Sequence, residues 1–138
     1  MDKHVLKGIF GLAFLAVLFF ISGCDKQTAN AAGVLEGVIS IGPICPVEKI
    51  PPDPDCLPTA ETYKAYPVSV WTSNGSRKIA QINPALDGSF RTELAPGNYM
   101  VLLEKEQNNI GSSNLPVVLS IISEDTTFLN INIDTGIR

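Results

Sequence analysis

The sequence is poor in the residues that carry most enzymatic and metal chemistry: one histidine, at position 4, and three cysteines among 138 residues. With no histidine after His4, general acid–base work near neutral pH falls to carboxylates, and no Ser or Thr stands beside a recognisable base or lysine partner. A catalyst and a cofactor are therefore not expected. A metal centre lacks its ligands too. The carboxylates Glu48, Asp53, Asp55 and Glu61 match no calcium-loop spacing, and calcium asks for about six to eight hard oxygens. Positive charge is also scarce, with 10 Lys+Arg against 14 Asp+Glu and no cluster among them. Phosphate neutralisation needs clustered Lys and Arg, so a nucleic-acid partner is excluded. Long apolar runs are absent as well. The longest, Gly8 to Ile21, spans roughly 21 Å as a helix, short of the ~30 Å hydrocarbon core of a bilayer.

That short run sits behind a basic segment containing Lys3 and Lys7 and has the form of a signal-peptide core. It ends in Ile21-Ser22-Gly23-Cys24, which resembles the lipobox of bacterial lipoproteins: an aliphatic residue, two small residues and a cysteine. The resemblance implies cleavage after residue 23, diacylglycerol on the Cys24 thiol, palmitate-type acylation and a membrane partner held through lipid. The protein is then extracytoplasmic, on the periplasmic or cell-surface side of the envelope. Removing residues 1–23 leaves 8 Lys+Arg against 13 Asp+Glu, so the acidic body is not drawn to an anionic bilayer and lipid does the anchoring. Residues 24–32, small and polar, read as a flexible tether.

Cys45 and Cys56 remain as an even pair in an exported chain, and a disulfide is expected between them. A metal pair is the rival reading, without a histidine or a second cysteine pair to complete it. Closing so short a loop stabilises the fold by about 3 kcal/mol in the chain-entropy model. The bridge lies in a proline-rich insertion, 42–64, with Pro43, Pro46, Pro51, Pro52, Pro54 and Pro58. Prolines and bridge together lower the entropy of the free loop, which suits pre-organised binding. They equally suit the plain fixing of a long loop.

From residue 33 to 138 the pattern is all-β. Seven strands are expected, at Val34–Ile41, Tyr66–Ser73, Lys78–Asn83, Ser89–Leu94, Asn98–Glu106, Leu115–Ile122 and Thr127–Asp134, with no convincing helix period. Leu35, Ile39 and Ile41 share one face of the first; Leu129, Ile131 and Ile133 share one face of the last. Asn74-Gly75 predicts a tight hairpin with positive φ at both positions, and Pro96-Gly97 predicts a type II turn. Seven strands in about 100 residues imply an antiparallel two-sheet sandwich.

Asp87-Gly88-Ser89-Phe90 and Leu94-Ala95-Pro96-Gly97-Asn98-Tyr99 resemble the carboxypeptidase regulatory-like domains of the transthyretin-like (prealbumin-like) sandwiches. Ile41-Gly42-Pro43-Ile44-Cys45-Pro46-Val47 resembles a variant of these domains in secreted bacterial proteins, where it opens a cysteine-bridged insertion. The resemblance implies a non-catalytic binding or structural module of the cell envelope, with an envelope protein or polysaccharide as partner. The histidines and C-terminal motif of the transthyretin-like hydrolases are missing, as is a lysine on the first strand for an isopeptide cross-link to Asn130 or Asn132. The alternative function is carbohydrate binding or protease inhibition through the stapled loop. Possible binding residues are Trp71 with Tyr63 and Tyr66, as a stacking surface for sugars, and Lys49, as a substrate-like residue on the loop.

Overall fold

A computed structural model describes residues 31–47, 49–105 and 111–138. The signal segment, Cys24 and the tether as far as residue 30 lie outside the described residues. The described elements are strands β1 (Gly33–Gly42), helix α1 (Ala60–Ala65), and strands β2 (Val68–Thr72), β3 (Lys78–Gln81), β4 (Ser89–Leu94), β5 (Gly97–Leu103), β6 (Gly111–Ser112), β7 (Val117–Ile121), β8 (Thr126–Phe128) and β9 (Ile131–Asp134).

They form two sheets packed as a sandwich. One runs β4-β1-β9-β6, with β8 also on β1; the other runs β3-β2-β5-β7. Period-two alternation explains the core. Leu35, Ile39 and Ile41 from β1, Phe90 and Leu94 from β4, and Ile131 and Ile133 from β9 face Val68 and Val70 from β2, Val101 and Leu103 from β5, and Ile121 from β7, all of them buried. Each such side chain contributes about 1.5–3 kcal/mol on burial. β5, apolar on both faces in the sequence, lies between β2 and β7 as a central strand must.

The structure departs from the sequence expectation at several points. Nine strands are described rather than seven, because the two-residue β6 falls in the stretch expected as a polar loop and the last strand is broken into β8 and β9. The sandwich is not wholly antiparallel: β8 and β9 both run parallel to β1, Glu36 opposite Phe128 and Ile39 opposite Ile131. The register is unchanged across the break, where Leu129 N donates to Glu36 O at 2.8 Å and Val38 N donates to the Asn130 side-chain Oδ1 at 3.1 Å. A side-chain oxygen takes the place of a ladder carbonyl.

The two turns also differ from expectation. β2 and β3 are antiparallel neighbours as expected. Gly75 takes φ 69°, but Asn74 does not have positive φ. Asn74 Oδ1 instead accepts from Ser76 N at 3.1 Å and from Thr72 Oγ1 at 2.7 Å, closing a longer loop. Gly97, at φ 158°, is already in the ladder opposite Ile121, so Pro96-Gly97 is not a type II turn. Tyr99 OH holds this corner by donating to Ala95 O at 2.8 Å.

Helix α1 lies at the end of the insertion, where no helix was expected. Thr59 caps it: Thr62 N donates to Thr59 Oγ1 at 3.3 Å and Thr59 N donates to Thr62 Oγ1 at 3.0 Å, a reciprocal capping box. Tyr63 is the buried residue of this helix and fastens it to the core.

Candidate functional site

β1 is the axis on which the functional surfaces are arranged. At its first residues, Val34 N donates to Asp125 O at 2.9 Å and Glu124 N to Ala32 O at 3.2 Å, so the chain enters beside the β7–β8 turn. At its last, Gly42 leads into the insertion, and Thr135 N donates to Gly42 O at 3.2 Å. Ten strand residues at ~3.3 Å each separate the two ends by roughly 30 Å. The insertion and the C-terminal residues thus share the pole opposite the chain entry.

The C-terminus closes that pole. Asp134 accepts from Arg138 at 2.7 and 3.1 Å and from Gly136 N at 2.9 Å. The guanidinium first, then the amide, hold its carboxyl at about 2, below the ordinary 3.8. Because the folded value is depressed, this pair contributes stability above pH 3.8, and the contribution is lost as pH falls through about 2. An NMR titration of the Asp134 carboxyl is expected to give a midpoint near 2, moving toward 3.8 in Arg138→Ala.

Cys45 and Cys56 are disulfide-bonded, their Cα atoms 5.5 Å apart, as the sequence predicted. The loop they close displays Val47 and a fully exposed Ile50. Beyond Cys56 the chain forms one wall of a cleft; the other wall is the β3–β4 connection, residues 82–88. On one side of Tyr63 the cleft holds a cavity of about 470 Å³ lined by Ala60, Lys64, Pro67, Ile82 and Leu86. On the other side a cavity of about 770 Å³ is lined by Ile41, Leu57, Pro58, Thr59 and Leu86. Leu86, 70% exposed, borders both.

The β3–β4 wall is shaped by Asp87-Gly88. Gly88 has φ 83°, and a Cβ there would lie 2.3 Å from Ile39 O, so only glycine meets both demands. Asp87 Oδ1 accepts from Ser89 Oγ at 2.6 Å and Ser89 N at 3.0 Å, which lowers its pKa. Burial, and then the Asp87 charge, raise that of Tyr63, so its phenol stays neutral. An apolar cleft with a neutral hydroxyl and an internally bonded carboxylate has the chemistry of a binding surface, not of a nucleophile with its base. Among the described residues no group of three His, Cys, Asp or Glu is assembled that could hold a metal ion.

The aromatics singled out from the sequence do not form one surface. Tyr63 lies in the cleft and the core, and Tyr66 is half-buried against the same core. Trp71 lies on the outer face of its sheet, its Nε1 donating to Ser69 Oγ at 2.7 Å. Strand alternation puts Val68 and Val70 inward and Ser69 and Trp71 outward, so the helix and the strand point their rings to opposite sides. Lys49 is exposed on the stapled loop, 3.8 Å from Asp53. Leu57 and Leu86 were not singled out. Their signal was apolar side chains placed among turn-forming residues.

No protein-family model matches the chain, and no curated protein matches it in sequence. Among solved structures, GBS52, the minor pilin of the Gram-positive pathogen Streptococcus agalactiae, is similar over 75% of this chain and 44% of that one, with TM-score 0.51 at 15% identity. The Bacillus anthracis TIE protein is similar over 75% of this chain and 16% of that one, with TM-score 0.47 at 11% identity. A DUF3823 family protein from Parabacteroides merdae is similar over 75% and 46%, with TM-score 0.44 at 14% identity. Each match takes in less than half of the solved chain. At 15% identity the likeness to GBS52 shows the fold alone, a two-sheet β-sandwich.

Proposed function

We propose that this chain is a lipid-anchored, non-catalytic β-sandwich module of the bacterial cell envelope, which holds its stapled insertion and the adjoining cleft toward an envelope partner. The observation that carries this reading is the polarity of β1. The tether enters at Gly33 and the insertion leaves at Gly42, so an anchor at Cys24 is attached at the end of β1 opposite the cleft and leaves the cleft free for a partner. The sandwich likeness to a minor pilin supports an extracytoplasmic surface location. The finer kinship, with carboxypeptidase regulatory-like domains, is supported by two local devices at the motif residues: the Asp87 turn with Gly88 against Ile39, and the Tyr99 bond to Ala95.

Lipidation has a direct test in a bacterial host fed radiolabelled palmitate. The wild-type chain is expected to carry label and sediment with membranes, and Cys24→Ser to carry none and stay soluble. Label persisting on Cys24→Ser, or an unlabelled wild type, would overturn the anchor.

A further inference from the structure

A second surface, independent of lipidation and sharing only the β3–β4 connection with the cleft, lies on the outer face of the β4-β1 sheet where β8 joins it. The strand registers place Arg91, Glu36 and Phe128 side by side in one row, since Glu36 is opposite Arg91 on β4 and opposite Phe128 on β8. The next row along β1 holds Val38, opposite Ser89. A groove of about 560 Å³ runs here, lined by Glu36, Val38, Asn83, Arg91, Phe128 and Asn130.

Phe128 is the most telling of these residues. It is 73% exposed on the polar face of its strand, and a phenyl ring has no polar tip to reward that position. Its neighbours are held in place. Arg91 Nη1 donates to Glu36 Oε2 at 2.7 Å, and Asn130 Oδ1 accepts from Val38 N, which leaves the Asn130 amide NH₂ as the group it can offer a ligand. The surface therefore offers one open aromatic ring, with Val38 and Ala85 beside it, among fixed donors and a fixed carboxylate acceptor.

We propose that this face is a saccharide-binding site, with Phe128 stacking on a neutral pyranose ring whose hydroxyls bond Arg91, Glu36 and Asn130. A pyranose matches that lining closely: a face of C–H groups that lies on an aromatic ring, and a rim of hydroxyls that both donate and accept. The exposed apolar side chains here are Phe128, Val38 and the small Ala85, over the buried Phe90, and polar groups alternate with them, which suits the mixed surface of a sugar better than the continuous apolar centre of a protein interface. The opposite charges of Glu36 and Arg91 cancel within the site, so the favoured sugar is uncharged. Nucleic acid is disfavoured by the acidic chain.

The test uses the full chain in a non-glycosidic detergent, titrated with β-1,4- and α-1,4-linked glucose hexamers and with an N-acetylglucosamine hexamer. At least one is expected to bind, with Phe128→Ala and Arg91→Ala each weakening it by about tenfold or more, Phe128→Trp retaining it, and Leu86→Ala leaving it unchanged. Phe128 is exposed, so these variants are expected to fold, and circular dichroism verifies it. Absence of binding by all three hexamers at millimolar concentration overturns the proposal. So does wild-type affinity in Phe128→Leu, which would assign the patch to apolar contact with a protein rather than to stacking.

Discussion

Replacing Gly37 with alanine is expected to remove about 3 kcal/mol or more of folding stability, at the upper end of what overpacking a core costs. Judged by its own strand the substitution looks favourable. Gly37 lies on the buried face of β1 between Leu35 and Ile39, where a side chain would add packing and β propensity. The obstacle comes from the other end of the chain. A Cβ at Gly37 would lie 1.9 Å from the Leu129 carbonyl oxygen and 2.6 Å from its carbon, at the break between β8 and β9. Backbone cannot rotate away as a side chain can, so β1 and the parallel strand must separate, and the bonds Leu129 N to Glu36 O and Val38 N to Asn130 Oδ1 weaken with them. Urea unfolding measures the loss, with the outward-facing neighbour Val38→Ala as control at about 0.5 kcal/mol. Equal unfolding midpoints for Gly37→Ala and wild type would mean that the close approach does not exist.

The double variant Cys45→Ser/Cys56→Ser is expected to lose stability of about 3 kcal/mol through loop-closure entropy, and to lose partner binding as well. Both effects have the same origin. Leu57, Pro58 and Thr59 follow Cys56 directly and line the cleft, and Thr59 caps α1, which carries Tyr63. Without the bridge the wall of the cleft is still tied near Gly42, by the Thr135 hydroxyl on Pro43 O and by Ile44 on the core, and at α1, but the stretch between is released, while the sheets keep their own core. Denaturation of the variant should therefore show one cooperative transition at lower urea. Pull-downs from envelope extracts should recover fewer proteins than the wild-type chain does. An unchanged partner set would reduce the insertion to a structural staple and remove the cleft from the functional proposal.

Some features were legible because they depend only on neighbours in sequence. Alternation along the first and last strands marked Leu35, Ile39, Ile41, Leu129, Ile131 and Ile133 as inward-facing; five are buried, and Leu129, at the break between β8 and β9, is partly buried against the same core. A strand with one wet face must alternate whatever it pairs with, so the all-β class and most strand positions could be read directly. The disulfide was equally accessible, since the expectation of lipid on Cys24 left one pair of cysteines, both in the same loop.

Helix α1 was not legible: six residues are under two turns, too few for a helical period, and its Thr59–Thr62 cap lacks the acidic residue that usually marks such a box. The turns at Asn74-Gly75 and Pro96-Gly97 carried the right residues, but Thr72 and Ser76 recruited Asn74, and the ladder to Ile121 drew Gly97 into β5. Phe128 could have been noticed as a large aromatic on the polar side of an alternating strand; its row with Glu36 and Arg91 could not.

By itself, then, the sequence determined the sandwich class, the inward faces, the stapled loop and the expectation of an anchor at Cys24. The tertiary structure alone decided that the first and last strands pair in parallel, that Gly37 must stay small, and that Tyr63 and Leu86 meet in a cleft far along β1 from the tether. The physical reason is that burial and covalent pairing act on each segment's own pattern. Register and close approach are instead set between segments about 90 residues apart, through contacts that neither pattern encodes.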